Sequence, residues 1–300
     1  MKNIFAVIAR ILILFIPLGA LQTFAEEGEW VEWIADAQLS YSAIDNLNLS
    51  AFSDDTHSDE RVALNGIVGR FYQFDSLTRV SFTFELDIEK HQDFDSMDNK
   101  QIGASVGVRH KFGVGFYQPY LQFNTNYRHK EVEWDANSID LFYSSLEVGR
   151  HINNQLSLGA SLDFTDTRGK AGPVIVPELS SDVFDQRYVH LSFFVDYILN
   201  QNWLLSASYS RRQGDFNSAC SEDNVAKVLE VEQVEAITKD DIFGGCVYKL
   251  DGNSNIYSAS LSYSLTNHSG LNLVMEHYQG EADVLDYHRT SYSLSFNYRY

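Results

Sequence analysis

The chain ends in 291-SYSLSFNYRY-300, where Tyr292, Leu294, Phe296, Tyr298 and Tyr300 alternate with Ser291, Ser293, Ser295, Asn297 and Arg299. Successive side chains leave a strand on opposite faces. A period of two therefore predicts a strand with one greasy, aromatic face and one polar face. At a terminus in water such a strand is a hazard, because its open edge invites pairing with another chain. Something has to cover the apolar face and pair with that edge.

The same alternation recurs upstream. In 78-TRVSFTFELDIEK-90, Val80, Phe82, Phe84, Leu86 and Ile88 oppose Arg79, Ser81, Thr83, Glu85, Asp87 and Glu89. Stretches starting at Gln101, Pro119, Leu156, Val189, Trp203, Tyr257 and Leu271 repeat it. Less regular stretches lie near 33–43, 61–72 and 140–150, and the second of these shows no clear face. The pattern predicts about twelve strands, each near the ~10 residues that a tilted strand needs to cross a bilayer. Short links near 74–76, 113–115, 152–155, 200–202 and 267–270 alternate with longer polar ones near 45–60, 90–100, 129–138, 168–186, 213–254 and 279–286. Sorting of loop length by parity suits a sheet closed in a membrane, with tight turns on one side and long loops on the other. A soluble sandwich has no reason to do this.

The start of the chain agrees. Lys2 and Arg10 precede an apolar run from Ile11 to Leu21, followed by Thr23-Phe24-Ala25. A basic region, an apolar region and a small-x-Ala site predict a secretory signal over 1–25, cut after Ala25, with the barrel over 26–300. The run is short for an uncleaved anchor, and acidic residues follow it at once. No later stretch approaches the ~18 apolar residues of a helical span. Removing the signal takes the formal charge from −19 to −21, which argues against nucleic-acid binding.

A terminal strand with an aromatic last residue resembles the assembly signal of Gram-negative outer-membrane β-barrels, carried here by Phe296, Tyr298 and Tyr300. The resemblance covers all of 26–300 and is porin-like without pointing to a subfamily. It implies a single closed antiparallel up-and-down barrel in the cell outer membrane. It also implies periplasmic termini and, as partners, outer-membrane lipid, lipopolysaccharide and the barrel-assembly machinery. Aromatic residues agree with two interfacial belts: Phe112, Tyr197, Trp203, Tyr298 and Tyr300 at the short-turn ends, and Tyr41, Tyr127, Tyr209 and Tyr292 toward the long loops.

With apolar faces toward lipid, the polar faces line a lumen. Candidate lining residues are Arg79, Glu85, Asp87, Arg109, Lys111, Arg128 and Asp163 in the first half, and Ser208, Ser260 and Ser293 in the serine-rich second half. Two readings of the charges stand. They pair into ladders that stiffen the wall, or they form a constriction facing a serine-lined wall that passes small polar solutes. Because the signs nearly balance, weak ion selectivity is expected. Acidic loops holding Asp54, Asp55, Asp59 and Glu60, and Asp93, Asp95 and Asp98, predict a mild cation preference at the outer mouth. Neither loop has the EF-hand spacing, so they read as solvated acidic loops.

Cys220 and Cys246 lie in the long segment 213–254 and are a disulfide candidate in an exported chain, the alternative being two reduced thiols. That segment either folds inward or stands out as a hairpin. The chain has no His-Glu-x-x-His, no Cys-x-x-Cys and no phosphate-cradling glycine loop, so no cofactor, metal or catalytic residue is expected. His277 and His288, near Glu276, Glu281 and Asp286, are the best candidates for a His–carboxylate pair. The expectation is a passive, weakly selective channel for small polar solutes or ions. The alternatives are a structural or surface-interaction barrel with a closed lumen and, third, an outer-leaflet hydrolase.

Overall fold

The computed structural model describes residues 28–133 and 138–300, so the signal over 1–25 lies outside the described residues. Thirteen strands follow one another: β1 (Glu29–Ile44), β2 (Asp59–Gln73), β3 (Thr78–His91), β4 (Asn99–Lys111), β5 (Tyr120–Val132), β6 (Ile139–His151), β7 (Leu156–Gly169), β8 (Gln186–Ile198), β9 (Trp203–Ser221), β10 (Ala236–Asp240), β11 (Gly245–Ser264), β12 (Ser269–Glu281) and β13 (Asp286–Arg299). β1 to β9 pair antiparallel in chain order, as do β10 to β13, β9 pairs with β11, and β13 pairs with β1. The result is a closed barrel of twelve strands, with β10 attached to β11 outside the ring.

Closure answers the problem posed by the last strand. Its register on β1 runs from Asp36 opposite Arg299 to Ile44 opposite Ser291. Arg299 grips Asp36 with two bonds, Nε to Oδ1 at 2.8 Å and Nη2 to Oδ2 at 3.2 Å. The Tyr300 N–H donates to the Ala35 carbonyl at 2.9 Å. In hydrocarbon every backbone polar group must be bonded within the protein, and a ring without edges achieves that.

The greasy faces point outward. Phe84 is 68% exposed, and Phe82 and Phe296 are each 43% exposed. The wall therefore buries no dry centre; it presents its apolar side to what surrounds it. Both expected aromatic sets, from Phe112 to Tyr300 and from Tyr41 to Tyr292, are on this outer face. β2, which showed no clear face, is a full strand with Val62, Leu64 and Val68 exposed outside. Inward Ile67 and Phe71, and glycines at 66 and 69, blur its alternation in the sequence.

Loop parity needs two corrections. The link between β4 and β5 spans 112–119, with Gly113 and Gly115 at φ +131° and +122°, longer than a tight turn. The last long-loop connection contracts to 282–285, because β12 and β13 keep pairing as far as Glu281 and Asp286. Of the two forms open to 213–254, the structure shows the hairpin. β9 and β11 remain in register from Trp203–Tyr263 up to Ser221–Gly245, so most of this segment is a paired ribbon standing beyond the ring. Only 222–244 connects the two strands, through a short helix α1 (Val225–Val231) and β10.

Candidate functional site: the lumen and its cover

Strand parity places Arg79, Glu85, Asp87, Arg109, Lys111, Arg128, Asp163, Ser208, Ser260 and Ser293 on the inner face, opposite the exposed apolar set. Most of the charges do not project freely. Arg128 Nη2 lies 2.5 Å from Glu85 Oε2, and the Arg79 guanidinium sits 3.9 Å over the Phe71 ring. Arg109 sits 3.9 Å over the ring of Tyr120, whose hydroxyl donates to Glu147 at 2.6 Å. Asp163 accepts from the Tyr143 hydroxyl at 2.9 Å and from Ser161 at 3.0 Å. Among these candidates only Arg128 and Glu85 form an ion pair, from β5 to β3; Arg79 and Arg109 rest on rings, and Asp163 takes hydroxyls.

The inward aromatics Phe71, Tyr120, Tyr143, Tyr188 and Phe194 escaped sequence reading. Phe193 and Phe194 are adjacent, and only the barrel decides that the first faces out and the second in. One signal was available, the glycines. Gly149 lies under Tyr120, Gly159 under Phe194 and Gly103 under Arg128, each where a Cβ would collide with that side chain. Long inward groups thus lie flat on a neighbouring strand instead of crossing the lumen. Space remains at both ends: about 220 Å³ beside Arg79 and Arg109 toward the short turns, and about 340 Å³ beneath the long loops. Between them, Asp87 Oδ1, Asn126 Nδ2 and His190 Nε2 are buried polar atoms with no protein partner. This stretch of lumen is therefore polar and not packed with apolar side chains.

The long-loop end is covered. Cys220 and Cys246 face each other across the β9–β11 ribbon and form a disulfide. Phe216, Cys220, Val228, Ile237, Tyr248, Leu250 and Tyr287 pack around it as a dry core, with the Ser218 hydroxyl donating to the Tyr248 oxygen at 2.9 Å. At the ribbon's tip Phe243 meets His57 and Phe94, with ring centroids 5.3 and 5.0 Å away. Phe94 belongs to the β3–β4 link, six strands around the ring from the β9–β11 pair. The ribbon therefore leans across the whole mouth and is clasped on the far side.

Carboxylates tie this end of the barrel together, one of them from the acidic loops into the cover. Asp55 is buried and accepts from the Ser221 N–H at 2.7 Å and from Asn224 at 3.3 Å. Asp98 accepts from the His91 N–H and from Lys90. Glu232, beyond α1, accepts from the N–H groups of Asp283, Val284 and Leu285. Asp54, Glu60, Asp93 and Asp95 stay exposed, as expected of solvated loops, while Asp55, Asp59 and Asp98 are bonded within the protein.

The expected His–carboxylate pairing also falls elsewhere. His277 and His288 stack at 6.3 Å, and His277 bonds Thr290 and Gln279, not a carboxylate. The structure instead pairs His91 with Asp59 at 2.6 Å and Glu89 at 2.9 Å, inside the barrel. These residues sit at strand ends 32 positions apart in sequence, and only the β2–β3 register unites them. Among the described residues no cluster suited to a metal ion occurs.

A closed twelve-strand ring with an apolar outside, a polar inside and aromatic rims defines a β-barrel of the outer-membrane type. No family model and no curated protein matches the sequence. Among solved structures the chain is similar to the COG4313 outer membrane channel from Pseudomonas putida F1, at a TM-score of 0.55 and 9% identity, over 93% of this chain and 100% of that one. The NanC porin aligns at a TM-score of 0.45 and 10% identity, over 88% of this chain and 98% of its own. The KdgM porin aligns at 0.39 and 10%, over 88% and 99%. At such identities the first likeness speaks for the fold alone, and the other two add no argument.

Proposed function

We propose that the protein is a passive, weakly selective channel for small polar solutes and ions, set in the outer membrane with its long loops outside and its termini in the periplasm. The observation that supports this reading is the polar lumen, whose long side chains lie flat on glycines and leave cavities toward both ends. Wall charges of both signs that nearly balance suit weak selectivity, since they add little net field along the path. The covering ribbon narrows the path at one end. Phe296, Tyr298 and Tyr300 stand on the outer face, where assembly machinery could read them, and the apolar wall would contact lipid and lipopolysaccharide. No catalytic role is proposed.

The bridged mouth favours one second reading, a barrel with a closed lumen whose ribbon meets a surface partner. One experiment separates the two. The refolded protein is placed in planar bilayers beside a variant in which a two-residue Asn-Gly turn joins Asp215 to Asp251, which face each other in the ribbon. Discrete current steps that grow in the shortened variant are expected. Silence in both, across salts and voltages, would leave the closed barrel.

A further inference from the structure

The alternation of β1 is broken between Trp30 and Trp33, beside an outward-facing cation. Trp30 pairs with Tyr72 and Trp33 with Arg70, so Val31 and Glu32 together stand opposite Phe71 alone. A bulge of this kind re-aims side chains. Without it Trp30 and Trp33 would fall on opposite faces. With it both indoles are outside, 49% and 66% exposed. The Arg70 guanidinium lies 5.5 Å from the Trp30 ring centroid and 5.1 Å from that of Trp33. Its Nε donates to the Val31 carbonyl in the bulge at 3.5 Å, and Tyr72 meets Trp30 edge-on at 5.3 Å.

This cation belongs to the apolar side of the wall. In register it stands between Trp33 on β1 and Phe82 on β3, with the Val68–Phe84 pair next along the strands. The carboxylates of the neighbouring chain are engaged or placed elsewhere. Glu32 reaches Arg79 at 3.9 Å, Asp75 accepts from the N–H groups of Leu77 and Thr78, and Glu29 falls on the face opposite Trp30. The remaining guanidinium N–H groups, the Tyr72 hydroxyl and both indole N–H groups have no acceptor among the described residues. A charge on the outer wall is tolerated only near the membrane interface, and Arg70 lies near the short-turn end of β2, which closes at Gln73. What lies at that depth and supplies acceptors with negative charge is the lipid phosphate, which a guanidinium binds in a planar fork.

We infer that Arg70, Trp30, Trp33 and Tyr72 form a binding site for the phosphodiester of a phospholipid in the leaflet on the short-turn side, its acyl chains lying along Val68, Phe82 and Phe84. The guanidinium takes the phosphate, the indole and phenol groups donate to phosphate or glycerol-ester oxygens, and the bulge holds the indoles against the cation. The site rests on the membrane setting of the proposed function and is independent of whether the lumen conducts.

The test uses the refolded full-length barrel in detergent micelles doped with dioleoyl phosphatidylglycerol or with dioleoylglycerol, which has the same chains and no phosphate. Retained lipid is counted by native mass spectrometry. Phosphatidylglycerol is expected to bind at least tenfold more tightly than dioleoylglycerol, and millimolar inorganic phosphate should not displace it. Arg70→Gln should weaken it about tenfold, the size of one charge-assisted bond, and leave dioleoylglycerol unchanged. Arg150→Gln is the control, an outward arginine whose Nε is already held by the Tyr117 carbonyl, and should change nothing. The Trp30→Leu/Trp33→Leu double variant keeps the charge, removes the indoles and should weaken retention several-fold, so the test does not depend on Arg70→Gln folding. Equal retention of phosphatidylglycerol by wild type and these variants, or equal retention of dioleoylglycerol, would overturn the site. Displacement by inorganic phosphate would overturn the lipid as its occupant. Current steps without Arg70-dependent retention would sink the site and keep the channel reading; Arg70-dependent retention by a silent barrel would do the opposite.

Discussion

The ring and the ribbon above it are built from one chain on opposite plans. In the ring, apolar side chains such as Phe84 and Leu294 face outward and polar ones such as Asp163 and Ser293 face in. In the ribbon, Phe216, Ile237, Tyr248 and the Cys220–Cys246 bridge are inside, while Lys239 and Asp241 pair on the surface. β9 and β11 pass through both regions without a break in register. The backbone does not change between them; the solvent does. In hydrocarbon the apolar side is the cheap one to expose, whereas in water it must be hidden.

The contrast can be broken at several points. Phe84→Arg places a charge on the lipid side of the wall and should cost about 2–4 kcal/mol near the bilayer midplane, blocking insertion into vesicles. The same change at an exposed ribbon position should not affect insertion. Tyr248→Ala should cost about 3–5 kcal/mol, felt only by the ribbon. Protease should then cut within 222–244 while the ring stays resistant, and a ring that unfolds together with the ribbon would show the two to be one cooperative unit.

A subtler test is pH. Burial, only partly offset by bonds from the N–H groups of Ile242 and Phe243, raises the pKa of Asp240 in the ribbon above the ordinary carboxylate value. The folded ribbon then holds this proton more tightly than the unfolded one. Ribbon stability should therefore fall as pH rises through the ordinary carboxylate range to the raised value, and flatten above it. In Asp240→Asn this part of the dependence should vanish from proteolysis rates measured across acidic pH. The smallest effect is expected at the seam. Asp36→Asn weakens the grip on Arg299, but the Arg299 side chain is largely solvent-exposed, so about 0–1 kcal/mol is expected in urea unfolding. A loss several times larger would mean that the seam is the weak line of the ring.

The ring was largely legible because a period of two is a local property. 291-SYSLSFNYRY-300 and 78-TRVSFTFELDIEK-90 each declare their two faces without knowledge of any partner. β2 was harder to read, since Ile67 and Phe71 put apolar groups on the polar side, a choice that makes sense only once Arg79 is seen resting on Phe71. The sequence left the ribbon open between two forms for a related reason. Its strands change solvent partway, so their alternation loses its meaning just where 213–254 begins.

The sequence by itself determined the strand pattern, the outward apolar face and the aromatic last strand, because side-chain alternation and hydropathy are written residue by residue. Only the tertiary structure decided that Phe243 reaches Phe94 across the mouth, that His91 finds Asp59 and Glu89, and that Lys130 and Arg289 line one cavity. Those meetings depend on ring closure and register, which bring together residues that no local pattern connects.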